Sequence, residues 1–324
     1  MSRPSPALIA DLENVDGDVI VLGVGGKMGP TVARMIRRAS ADRRVMAVAR
    51  FTTPGAREAL ESHGIETITA DLLDRAAVAA LPKARNVIYM AGRKFGSEGS
   101  EDLTWAMNCH VPAIVAEAFA ESRVVAYSTI CVYPYAPVAH GGPTEESPLG
   151  PPGEYAMSCV GRERIFQFFS GKYGTPGRLI RLSYAIDMRY GVLRDVAARV
   201  LNGEAIDLTM GHVNVIWQGD AASQSIRSLA HVTTPTSPLN VSGPETVSIR
   251  ALAHAFAARF GKQPRLLGEE TETAWLANTG AAAKLFGYPE VPLERMIDWT
   301  ADWVSRAMPD LDKPTHFEVR SGRF

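Results

Sequence analysis

The chain has 324 residues, enough for one large α/β domain with a smaller lobe built into it. Apolar residues make up 46%, and 34 basic against 35 acidic side chains leave a net charge of −1. That balance excludes a global pull towards nucleic acid or an anionic membrane, and no apolar run reaches the ~18 residues of a membrane span. Cys109, Cys131 and Cys159 lie far apart without a Cys-x-x-Cys, and no histidines stand at ligand spacing. The expectation is no metal, no disulfide framework, and a reducing, cytoplasmic setting.

Residues 1–17 are polar, lack the basic start and apolar centre of a signal peptide, and read as a flexible arm. A dinucleotide-binding domain is expected over 18–183. It opens with a buried strand at 18–22, a turn from Gly23 through Gly26, Lys27 and Met28 to Gly29, and an amphipathic helix at 30–39 with Val32, Met35 and Ile36 on one face. Strand, glycine turn and helix start in that order make a phosphate site. Glycines let the backbone approach a pyrophosphate, and the free N–H groups of the helix start point at it. Lys27 would add positive charge there.

The second strand, 45–50, ends on Arg50. An acidic residue at that place would bond the adenosine ribose and reject a 2′-phosphate, whereas a cation can hold the phosphate. The expected cofactor is therefore NADP in preference to NAD. Further strands are expected at 66–70, 86–92 and 123–129, followed by 178–183. A polar, glycine-rich loop at 93–99 is expected to be mobile. Long helices at 102–122 and 155–173 complete the alternation, the first kinked by Pro112. This pattern predicts a Rossmann-type, doubly wound parallel sheet. Regularity falls after Tyr184, so 184–305 reads mainly as a smaller α/β substrate lobe, some of whose elements return to the sheet. Its last helices are expected at 249–260, capped by Ser248, and 293–305. Residues 306–324 read as a polar, extended tail.

The chain resembles the extended, atypical short-chain dehydrogenase/reductases, the NAD(P)-dependent epimerase/dehydratase group. Gly23, Gly26 and Gly29 match the phosphate turn, Asp71-Leu72 the pair beside the adenine, and Ala91-Gly92 the strand end along the cofactor. Asn108 falls where a structural Asn is common, Ser128-Thr129-x-x-Val132-Tyr133 on the family's Ser-Ser/Thr-x-x-Val-Tyr run, and Tyr155 on the catalytic Tyr of Tyr-x-x-x-Lys; the resemblance also implies Asn108 and Tyr155 as cofactor contacts. The resemblance implies an oxidoreductase or an epimerase/dehydratase acting by hydride transfer on a sugar or sugar derivative. Tyr155 would exchange the proton and Thr129 would bond a substrate oxygen. The implied assembly is a homodimer joined through the two long helices, with Phe166, Phe168 and Phe169 suited to burial there or in the core.

Two positions depart from the pattern. Cys159 stands where the family has the lysine that bonds the nicotinamide ribose and lowers the tyrosine's pKa, and Tyr184 stands where it has an Asn. Arg162 and Arg164 are read as offset from the face of position 159, while Arg93 or Lys94 could reach in from the loop. Cys159 itself reads as a redox-sensitive thiol or, more simply, a small buried residue. Lys94, Thr129, Tyr184 and Trp217 are the candidate substrate contacts, core packing being the ordinary alternative for the two aromatics. The alternative function is a catalytically silent NAD(P)-binding sensor or complex subunit.

Overall fold

The computed structural model describes residues 1–94 and 96–322. Seven parallel strands form the central sheet: β1 (Val19–Leu22), β2 (Val45–Ala49), β3 (Glu66–Thr69), β4 (Asn86–Tyr89), β5 (Arg123–Thr129), β6 (Gly177–Leu182) and β7 (Ser237–Val241). Their spatial order is β7-β6-β5-β4-β1-β2-β3. Val19 pairs with Val45 on one side and Asn86 on the other, so the strand order reverses between β1 and β4. The crevice beyond the strand ends at such a reversal is where doubly wound sheets bind ligands. β1 is apolar throughout, and β1 and β4 are buried along their whole length because both faces are covered.

One face carries α1 (Pro6–Glu13), α2 (Gly29–Ala39) and α9 (Gln218–Arg227). The expected flexible arm at 1–17 is thus corrected. Ser5 caps α1, and Leu8 and Leu12 are buried in the core beside Ile36 and Ile226. Spacing of four residues puts those two leucines on one helix face, a stripe too short to stand out in the sequence. The opposite face carries α4 (Arg75–Ala80), α6 (Val111–Ala118) and the 20-residue α7 (Glu154–Tyr173). Between β2 and β3 lies α3 (Ala56–Glu61); like α4 it has six residues, less than two turns.

The expected helix at 102–122 is three pieces. α5 (Glu101–Trp105) runs into a π-helical turn, Ala106–His110, and then α6. The Val111 N–H donates to the Ala106 carbonyl, five residues back. Pro112 has no N–H to offer the Asn108 carbonyl, and the helix widens there instead of kinking sharply.

The remaining helices, α8 (Val192–Asn202), α10 (Ile249–Phe260), α11 (Gly280–Phe286) and α12 (Leu293–Ser305), lie in the C-terminal part. Ser248 caps α10, its hydroxyl accepting from the Ala251 N–H. α8, α10 and α12 enclose a separate core around Val196, Phe256 and Ile297. Phe317, from the expected tail, is buried in that core, so 311–322 is a strap laid along the lobe. Among the described residues no helix is long and apolar enough to cross a membrane, and no cluster of three or more His, Cys, Asp or Glu could hold a metal.

Candidate active site

A groove crosses the ends of β1, β4 and β5 in two connected parts, each of about 290 Å³, which share Gly23, Gly26 and Met90. The adenosine-side part is lined by Arg50, Asp71, Leu72, Ala91 and Gly92. Two glycines of the turn, Gly23 and Gly29, are required by geometry. Gly23 has φ +86°, and a Cβ there would lie 2.6 Å from the Ala91 nitrogen; a Cβ on Gly29 would run into the Val24 carbonyl. Gly26 faces open space, its nearest neighbour being the Gly23 carbonyl at 3.9 Å from a built Cβ. α2 starts at Gly29 with no side-chain cap; the Gly29 N–H donates to the Gly26 carbonyl at 3.3 Å and Pro30 has none, so the helix start offers the Thr31 N–H towards the groove. This donor set and cradle fit a dinucleotide. Phe51, directly after Arg50, has φ +48°, a strained backbone for an aromatic residue at the wall of the adenosine part. A wider, basic mouth lies outside the turn, where Arg34, Arg93, Arg189 and Lys313 converge.

The second part holds Lys27, Lys94, Thr129, Cys131, Tyr155 and Tyr184 in one cavity. Tyr155 comes from the first turn of α7, and its ring is 5.9 Å from the Lys94 ammonium. Burial above all, with Cys159 and Cys131 alongside, pushes its phenol well above the ordinary value. Tyr155 and Cys159, one turn apart, hydrogen-bond through their side chains, and burial pushes the Cys159 thiol up to about 11. Both groups are neutral at pH 7. Burial lowers the Lys94 ammonium, opposed by the two thiols of Cys131 and Cys159. The Thr129 hydroxyl accepts from the Cys131 N–H at 3.1 Å, while Ser128 donates to Glu163 at 2.6 Å and is occupied there.

Lys27 does not lie back on the glycine turn. Its ammonium crosses the cavity, donates to the Ala185 carbonyl at 2.6 Å and sits 4.3 Å from the Tyr190 ring centre. Burial lowers it to about 7, with Asp187 pulling the other way.

Asn108 supports the site without lining it. Its Oδ1 accepts from the Arg93 N–H and the Arg162 guanidinium, and its Nδ2 donates to the Arg93 carbonyl and to Ser158. Every donor and acceptor of the amide is committed, which corrects the expectation that it binds the cofactor. It anchors the start of the loop at 93–99, within which Phe95 lies outside the described residues. Arg162 is likewise corrected: it lies on the buried face of α7, donates to the Tyr127 carbonyl at 3.0 Å, and approaches Gly92 so closely that a Cβ there would clash with its guanidinium. Positions 155, 159, 162 and 166 share one helical face, a spacing visible in the sequence.

The sequence pattern of the NAD dependent epimerase/dehydratase family matches residues 19–232. The chain belongs to this family. Among solved structures, the UDP-glucose 4-epimerase of Thermus thermophilus in complex with NAD is 21% identical, with 90% of this chain and 100% of that one covered at a TM-score of 0.73. The UDP-glucuronic acid 4-epimerase of Bacillus cereus in complex with NAD is 16% identical over 90% and 99%, TM-score 0.74. The UDP-glucose 4-epimerase of Thermotoga maritima with UDP-glucose is 15% identical over 90% and 99%, TM-score 0.73. No curated protein sequence matches the chain.

Within this epimerase/dehydratase fold, Trp217 stands apart from the cavity. It packs on Trp299 with ring centres 5.2 Å apart, at the lobe core, which corrects its place among the substrate contacts. Two aromatic walls of the cavity were missed instead, Tyr190 and Trp275. Trp275 lies in the short apolar run Thr273-Ala-Trp-Leu-Ala277, outside any periodic element, and that isolation was the available signal. Phe166 and Phe169 are buried in the core, whereas Phe168, 63% exposed, points outward from α7.

Proposed function

We propose that the protein is an NAD(P)-dependent epimerase/dehydratase or dehydrogenase that acts on a carbohydrate-like hydroxyl-bearing carbon, with Lys94 standing in for the lysine absent at Cys159. The cofactor, when bound, supplies a carbon that accepts and returns hydride. Tyr155 hydrogen-bonds the reacting oxygen and moves its proton, and Thr129 orients a neighbouring oxygen. As a neutral phenol Tyr155 is ready to donate a proton; to accept one it must first lose its own, and a cation nearby favours that loss.

The observation that carries this reading is Lys94 in the same cavity as Tyr155, 5.9 Å over its ring. The loop that bears it is held at its base by Asn108, so the cation is delivered to the tyrosine from β4 and not from α7. Arg50, exposed at the end of β2 and lining the adenosine part, supports NADP over NAD. Calorimetric titration of NADP⁺ and NAD⁺ tests both points: tighter NADP⁺ binding is expected, and binding of neither nucleotide would remove the proposal.

The silent-binder alternative draws on the raised phenol and thiol, which leave no ready base. Reduction of bound cofactor by any substrate would exclude it. A homodimer through α5 and α7 is supported by exposed Leu103, Trp105, Met157 and Phe168 on those helices. A single monomeric species in sedimentation would rule that assembly out.

A further inference from the structure

Resting on that enzymatic reading, we infer that the substrate is compact, a single sugar ring or its open-chain equivalent, and carries no nucleotide diphosphate handle. The first ground is room. The cavity of about 290 Å³ is bounded by Gly23, Gly26 and Met28, so the reactive end of the cofactor must share it. Pockets for drug-sized ligands span roughly 300–1,000 Å³ with nothing else inside.

The second ground is closure towards the strap, the cavity opening past Lys27, Lys94 and Tyr190 to the basic mouth. Trp275 walls the cavity and is fixed there: its indole N–H donates to the Tyr133 carbonyl at 2.9 Å, and its ring meets that of Tyr135 at 4.8 Å. Tyr135 is backed in turn by the strap. The Arg320 guanidinium lies 4.3 Å from the Tyr135 ring centre, and the Tyr135 hydroxyl donates to the Arg320 carbonyl at 2.5 Å. Arg320 is tied down by Thr271 at 2.9 Å and Thr273 at 2.8 and 2.7 Å. Further along, Gly322 lies so close to Pro152 and Gly153, at the start of α7, that a side chain on either glycine would strike the other segment's backbone.

The third ground is charge. A diphosphate is held by cations with donors to spare. The lobe residues lining the cavity, among them Tyr184, Tyr190 and Trp275, are uncharged. Of the C-terminal cations at the adjoining mouth, Arg189 is engaged with Asp187, and Lys313 stands outside the cavity lining. Among the described residues, the cations in the lining are Lys27 and Lys94, and both come from the cofactor half. The basic mouth adjoins Pro30 and Thr31 of α2, beside the phosphate turn, and is placed to face the cofactor's own phosphates. Tyrosine and tryptophan rings with a few hydroxyls suit the apolar face and polar edge of one sugar ring.

The test is calorimetry on the unmodified, cofactor-saturated protein. The probes are UDP, UDP-glucose, and a panel of free hexoses, pentoses, sugar acids, lactones and polyols. The expected result is that at least one unlinked compound binds, at least tenfold tighter than UDP-glucose, while UDP neither binds nor competes. Quenching of tryptophan fluorescence by that compound, lost in Trp275→Phe, would locate it. Binding of UDP or UDP-glucose as tight as the best unlinked compound overturns the inference, as does failure of the whole unlinked panel to bind. An unlinked compound that binds without any hydride transfer would overturn the catalytic reading and leave the substrate class standing.

Discussion

The two parts of the groove are built in different ways. The adenosine side is made largely by backbone: the turn from Gly23 to Gly29 forms its floor, with Arg50 and Asp71 in its lining. The nicotinamide side is made by side chains from segments far apart in the chain, with Lys94 after β4, Tyr155 on α7, Tyr184 after β6 and Trp275 late in the lobe. Backbone sites tolerate change everywhere but at their glycines. Side-chain sites can be rebuilt, and under the proposed function the cation comes from the loop after β4 instead of from α7.

Four substitutions press on that contrast. Tyr155→Phe should have the largest effect, lowering kcat by about 10²–10⁴ with cofactor affinity unchanged, since only the proton transfer is removed. Calorimetry beside single-turnover kinetics separates the two, and full activity in this variant would end the proposed mechanism. Lys94→Met should lower kcat about 10²-fold and move the pH profile. Because burial raises the phenol, the oxidation rate should climb as pH rises towards the phenol's pKa. Without the nearby cation that climb should shift to higher pH, and an unmoved profile would deny Lys94 its part.

Arg50→Glu should be milder, weakening NADP⁺ about 10–100-fold and leaving NAD⁺ nearly unaffected, the scale of one charge-assisted contact at about 1.5–3 kcal/mol. Equal loss for both nucleotides would show that the arginine does not read the 2′-phosphate. Trp217→Phe should be the smallest: less than about 1.5 kcal/mol of stability by urea unfolding and no change in KM. A large KM effect would return Trp217 to the substrate site.

The same contrast explains what was legible in the sequence. The parallel sheet, the phosphate turn, the Ser248 cap and the ends of β5, α7 and α12 follow from period, glycine spacing and capping, all local properties. Lys94 is legible as a loop cation able to reach in, as is Arg93. Which of the two enters the cavity is not legible, because it depends on Asn108 holding the loop from another helix. Trp217 and Trp275 are indistinguishable by composition; only the lobe's tertiary packing sends one to Trp299 and the other to the cavity. In the sequence the strap reads as polar tail because its apolar anchor, Phe317, repeats at no helical or strand period.

The π-turn at Ala106–His110 has a further consequence. One additional residue in a helix rotates everything after it by about 100°. The register of this helix is therefore set as if one residue had been inserted, and Asn108 sits at the insertion. Deleting a single residue between 106 and 110 would leave composition and charge almost untouched, yet turn the Asn108 amide away from the loop base and from Arg162 together. The loop that bears Lys94 is thus tied to a count of residues in a helix whose own Met107 lines the adenosine part of the groove, and related chains of different length there would present that loop differently.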